Sequence, residues 1–257
     1  MIAERLYGAF MEPARSRSVA GVTIGLAYTA VSLDDGCLGL CYTMIDRRAC
    51  CTQVRAFRDF DGLPASDLLE YARSDDTLER SMGLALVNAL NEERAADMPR
   101  DVGPRTGVIA QLGIGSGTRV AMVGYFPPVA ARITAAGAEL SILDRDRGLG
   151  DRTQFMDALA TWPDVLILTA TSLLDDSCTP FLQHVGDGAR VALMGPSTPM
   201  VPEVYADLPV HMLAGMVPLN RDRVLAVVRQ GGGTPALGPH SQKVYWLRPD
   251  TMEVRDA

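Results

Sequence analysis

The stretch RVAMVGYFPPVAARITAAGAELSILD, residues 119–144, decides the fold. It opens on a short continuous apolar run, Val120-Ala121-Met122-Val123, the pattern of a parallel strand covered on both faces. A turn follows at Gly124-Tyr125-Phe126-Pro127-Pro128, then a small-residue helix over 129–136. A second strand over 139–143 ends at Asp144-Arg145-Asp146. The alternation continues downstream. The pattern predicts a helix over 153–162, a strand over 164–169, a helix over 176–185 and a strand over 190–194. Residues 210–213 supply a fifth strand, and a helix over 221–230 stops at Gly231-Gly232-Gly233. Strands alternating with helices predict a parallel α/β sheet with right-handed crossovers.

Upstream the pattern differs. Residues 22–31 (VTIGLAYTAV) read as a strand, Asp35-Gly36 as a hairpin turn and residues 37–44 as the returning strand. Asp61-Gly62-Leu63-Pro64 breaks the chain, and Ser66 is placed to cap a short helix reaching Tyr71. Asp75 or Asp76 caps a longer helix, in which Leu78, Met82, Ala85, Leu86 and Ala89 recur at helical spacing. Residues 99–117, rich in glycine and carrying Pro99 and Pro104, read as a linker. The expected organisation is an α+β domain over 1–104 and a parallel α/β domain over 105–257.

Composition bounds the function. The chain has 257 residues, 47% hydrophobic and 21% charged, enough apolar material for a core. A net charge of −7 argues against a nucleic-acid partner, which selects for a basic face. No apolar run has the length a membrane span needs, so no membrane partner is expected. The first ten residues carry Glu4 and Arg5 and do not read as a secretory signal. The five cysteines, Cys37, Cys41, Cys50, Cys51 and Cys178, are an odd number, as reduced thiols of a cytoplasmic protein would be. They read either as small buried hydrophobes or as soft metal ligands. His184, His211 and His240 form no HxH or HxxxH pair.

Ligands of an open parallel sheet bind beyond the carboxyl ends of its strands. That rule selects residues 124–127, Asp144 with Asp146, residues 169–172 and residues 195–198. The first turn keeps Gly124 but places Phe126, Pro127 and Pro128 where a dinucleotide fingerprint has glycines, and two prolines remove two amide donors. Asp144 stands where an acid would take a ribose, or it serves its own loop. Thr169, Thr171 and Ser172 form a hydroxyl cluster suited to a small ligand or to capping. Asp175 and Asp176 are paired carboxylates, for a hard cation or for a helix start. Gly195-Pro196-Ser197-Thr198-Pro199 is a stiff loop bearing two hydroxyls. Neither a GxSxG elbow nor a P-loop occurs.

Several of these strings together resemble the putative heavy-metal-chelation domain family. They are VTIGLAYTAV with GLCYTM in residues 22–44, GLALVNA over 83–89, VGYFPPV over 123–129 and LTATSLLDDS over 168–177. GPSTPMVP over 195–202 and LAGMVPLNRDRVLAVVRQGGG over 213–233 complete the likeness. The resemblance implies a small enolase-N-terminal-like α+β domain followed by a Rossmann-like domain, with a ligand site in the cleft between them. Carried onto this chain, it implies ligand contacts from Asn88, Gly124, Phe126, Pro127, Asp144, Thr169, Thr171, Asp175, Gly195, Pro196, Ser197 and Thr198. A divalent or heavy metal ion would be held through Asp144 and Asp175. Two departures stand out: Asp144 replaces a Glu common in the family, and Asp175 replaces an Asn. The implied role is heavy-metal chelation or chelator metabolism, with a small molecule or metal chelate as partner. The alternative is a small-molecule enzyme using a nucleotide or S-adenosylmethionine-like ligand. Closed homo-oligomers are the common assemblies of soluble proteins, so one is expected here.

Overall fold

The computed structural model describes residues 2–45, 53–103 and 105–249. Helix α1 (Ile2–Arg15) leads into an antiparallel meander of β1 (Val19–Ile24), β2 (Tyr28–Leu33) and β3 (Leu38–Tyr42), followed by α2 (Ala65–Leu69), α3 (Thr77–Leu90) and α4 (Glu92–Ala96). The single strand expected over 22–31 is therefore two strands, with Thr23 opposite Ala30 across a tight reversal. Gly25 makes that reversal, and its amide donates to the Tyr28 carbonyl at 2.9 Å. A Cβ there would lie 2.2 Å from the Val228 carbonyl oxygen, so the turn answers to a helix 200 residues away and carries no local signal. The expected hairpin turn at Asp35-Gly36 is present, with Gly36 at φ +86°. Cys50 and Cys51 lie outside the described residues.

Two helix starts were open to sequence reasoning, and they resolve differently. Asp76 caps α3, its carboxylate accepting the amides of Leu78 and Glu79 at 3.0 and 3.1 Å. Ser66 does not cap α2. The Ala65 amide is drawn onto the Arg17 carbonyl at 2.9 Å, which starts the helix at Ala65 and leaves Ser66 inside its first turn. Helix α3 is buried along nearly its whole length, against β2 and β3 on one side and residues 70–73 on the other.

The second sheet takes its strands from the remainder. In order come α5 (Val108–Gln111), β4 (Arg119–Val123), α6 (Pro127–Ala135), β5 (Glu139–Leu143), α7 (Arg152–Leu159) and β6 (Val165–Thr169). Then follow α8 (Cys178–His184), β7 (Arg190–Met194), β8 (Met212–Pro218), α9 (Arg221–Arg229), α10 (Thr234–Leu237) and β9 (Ser241–Leu247). The six strands lie in the order β5-β4-β6-β7-β8-β9. The first five are parallel and β9 runs antiparallel at the edge. Strand β8 begins and ends later than expected, and β9 escaped the sequence reading because its polar residues Ser241, Gln242 and Lys243 mask the strand pattern. The fold is α/β: a small antiparallel sheet with helices, joined to a larger, mostly parallel one.

Alternation along the small sheet serves two helices. Val31, Leu33 and Cys41 join the core under α3. Tyr28, Ala30, Leu38 and Leu40 point the other way and pack with Val224, Val228 and Leu237 of α9 and α10. The C-terminal helices thus cover the second face of the N-terminal sheet.

Candidate functional site

The parallel order sends the chain from β4 outward to β5 on one side and to β6 on the other, which is the switch point where ligands of such sheets bind. The loops there hold one another. Gly124, at φ +83°, lies so close to Thr169 that a Cβ would sit 2.8 Å from the threonine side chain. Asp144, only 7% exposed, accepts the Tyr125 amide at 2.8 Å, the Arg147 amide at 3.0 Å and the Arg147 guanidinium at 2.9 Å. Burial works to raise its pKa, but these donors outweigh it and hold the carboxyl below its ordinary range. Phe126 precedes α6, and Pro127 and Pro128 occupy its first positions, so the amide donors a phosphate would need are missing. A nucleotide reading therefore finds its acid engaged and its phosphate cradle thin.

The hydroxyl turn also serves itself. Thr169 Oγ1 lies 2.9 Å from Thr171 Oγ1 and accepts the Thr171 amide, and Ser172 Oγ donates to the Thr169 carbonyl. The stiff loop after β7 is a seam between the two sheets. Gly195 stands at φ +135°. Thr198 Oγ1 lies within hydrogen-bonding distance of the Gly195 and Ala214 carbonyls, at 2.8 and 2.9 Å. Ser197 Oγ accepts the Tyr42 amide at 2.8 Å, and Asn88 Nδ2 reaches both the Leu40 and Ser197 carbonyls. Ser197 and Thr198 are buried, with Pro196 beside them, so Asn88 and residues 195–198 come together as a clamp.

Beyond this clamp a cavity of about 510 Å³ opens between the two sheets. The small unit contributes Tyr42, Met44, Asp75, Thr77 and Arg80 to its wall. The large unit contributes Arg145, Asp146, Leu174, Asp175 and Asp176. Of the residues expected to bind ligand, Asp175 lines this cavity; Asp144 and the Gly124 turn belong to the loop beside it. Asp175 accepts the Ser177 amide at 3.1 Å and faces Arg145 at 3.7 Å, while Arg145 also reaches Asp146 at 3.5 Å. Arg80, 7% exposed, spans the cleft to Asp176 at 2.7 Å. Sequence reasoning passed over Arg80. Its signal is a charged pair, Glu79-Arg80, inside a helix that carries no other charged residue and is buried along nearly its whole length.

The described residues do not fit a bare metal ion. Among them no three His, Cys, Asp or Glu side chains gather closely enough to hold one. Burial pushes the thiols of Cys37 and Cys41 up to about 12 and that of Cys178 to about 11, so without a metal all three are neutral, and among the described residues none belongs to a cluster of three metal-ligating side chains. Among the described residues no helix is long and apolar enough to cross a membrane.

A family model described as "putative heavy-metal chelation", DUF364, matches residues 107–247, and a second with the same description, DUF4213, matches residues 7–91. Two solved structures of DUF364 proteins of unknown function share the fold. That from Pyrococcus horikoshii is 21% identical with a TM-score of 0.76, over 96% of this chain and 100% of that one. That from Desulfitobacterium hafniense DCB-2 is 20% identical with a TM-score of 0.73, over 96% of this chain and 98% of that one. No curated relative matches the chain.

Proposed function

We infer the function from one premise: the chain belongs to the family described as "putative heavy-metal chelation". On that premise the cleft between the two sheets is the ligand site, and it takes a small chelator or a metal already chelated. The observation that carries this reading is the cavity of about 510 Å³ at the strand ends, walled by charged side chains from both units. A small-molecule site is concave and holds a few fixed polar groups, as this one does. The donor set explains why the metal would arrive in a complex. A bare ion needs several oxygen, nitrogen or thiolate ligands converging at short distance. Here the described thiols are buried and gather with no cluster of further ligands, and Asp144 is held by Arg147. A chelator brings its own ligands and leaves the protein to recognise its carbon skeleton and charged groups.

Calorimetric titration of the full chain separates the possibilities. Nickel–iminodiacetate and free Ni²⁺ serve as the two titrants. The complex, or the metal-free chelator, is expected to bind at one site per chain, and free Ni²⁺ to show no saturable binding. Saturable uptake of free Ni²⁺, with no binding of chelator or complex, overturns the reading.

A further inference from the structure

We infer that Arg80 is the carboxylate anchor of the cleft and that the ligand is a small amino-carboxylate, an inference that rests on the cleft reading above. Arg80 is a nearly buried guanidinium on the cavity wall, and a guanidinium offers five donors in a planar fork. Two of its nitrogens are tied down. Nε donates to the Ser74 carbonyl at 2.8 Å, and Nη1 reaches Asp176 at 2.7 Å and the Leu173 carbonyl at 3.5 Å. Nη2 makes no hydrogen bond among the described residues, and it is not among their sealed, unpartnered polar atoms. The outer edge of the fork is therefore open to the cleft. A carboxylate placed there would take Nη2, and by displacing Asp176 from Nη1 it would take both nitrogens together, the paired geometry that Asp176 uses only in part.

The rest of the wall narrows the class. Asp75, Asp146 and Asp175 also face the cavity, and Arg145 is shared between Asp146 and Asp175. A polyphosphate would set most of its charge against these carboxylates, whereas one further carboxylate has the exposed Arg145 guanidinium to meet. An ammonium group a few bonds from the anchored carboxylate would meet the charge it needs. The cleft thus matches a ligand carrying both, and disfavours a polyphosphate.

Iminodiacetate and glutarate test this directly, because they share two carboxylates and a chain length and differ at one central group, an ammonium or a methylene. Pyrophosphate supplies the third probe. Titration of the full chain is expected to show iminodiacetate binding about tenfold or more tighter than either. Arg80→Gln should weaken it by about tenfold or more, as loss of a charged hydrogen-bonded pair does. Arg80→Lys should recover part of the loss. Asp176→Asn removes the internal competitor while keeping a residue type that accepts the left-handed backbone of position 176, at φ +55°, and should tighten binding. Equal affinity for glutarate or pyrophosphate, binding indifferent to Arg80→Gln, or no binding of iminodiacetate overturns the inference. Should the Arg80 variants fail to fold, an unchanged affinity in Asp176→Asn overturns it instead. Met44→Trp, which puts an indole in the cavity wall, distinguishes the two levels. Iminodiacetate binding that leaves the fluorescence of this variant unchanged relative to wild type removes the cleft reading itself. Binding that changes that fluorescence but is indifferent to Arg80 removes only the anchor.

Discussion

Asp144 ties two loops through one carboxylate, and its chemistry sets a pH dependence. It accepts two backbone amides and a guanidinium, which together hold its pKa below the ordinary carboxylate range. A carboxyl depressed in the folded state contributes stability that is fully present above its unfolded pKa, about 3.9. That contribution is lost as pH falls through the lower folded value. Asp144→Asn should therefore destabilise the protein by about 1–3 kcal/mol at neutral pH, because an NH₂ group now faces an amide donor. The gap between variant and wild type should close in strong acid, and urea denaturation across pH reads both effects. A gap constant with pH would show that the carboxylate charge plays no part. Position 144 was visible in the sequence as a polar residue ending a strand, but its engagement was not. The Arg147 that occupies it is one of three arginines nearby, and only the turn geometry selects it.

At the scale of elements, the contact between β3 and α3 is made by the absence of a side chain. A Cβ on Gly39 would lie 2.1 Å from the Ala85 carbonyl oxygen and 2.1 Å from the Ala89 amide nitrogen. Backbone cannot move aside as a flexible side chain can, so Gly39→Ala must push helix and strand apart. The expected cost is about 1–3 kcal/mol or more, read as a lowered Tm by circular dichroism. An unchanged Tm would mean that α3 has room to slide. The same packing explains which elements were legible. Strands β5 and β7 fall on the expected residues because each is a short run bounded by glycine, aspartate or arginine. The reversal between β1 and β2 was hidden, since Gly25 turns there to admit the Val228 carbonyl. Strand β9 was hidden for another reason: it opens on three consecutive polar residues, Ser241, Gln242 and Lys243, which an edge position tolerates but which give neither alternation nor an apolar run.

Across the whole molecule, sequence order and spatial order part company. The small sheet is a middle layer, with α3 on one face and α9 with α10 on the other. A fragment of residues 1–104 would expose the apolar face of Tyr28, Ala30, Leu38 and Leu40 to water. Expressed alone, it should aggregate or give poorly dispersed amide resonances in NMR spectra, and a well-dispersed monomeric spectrum would refute this. The candidate site shows the same division. Asp175 was readable as an acid beyond a strand, whereas Arg80 and Tyr42 enter the cavity only because the two units close over it. The layering also has a consequence in time. During synthesis the small sheet is made early, but residues 221–237 that cover it emerge roughly 200 residues later. At about 5–20 residues per second, that face waits on the order of ten to forty seconds for its cover. Through that interval the nascent chain is a natural client for a ribosome-associated chaperone, and slowing translation would lengthen its exposure.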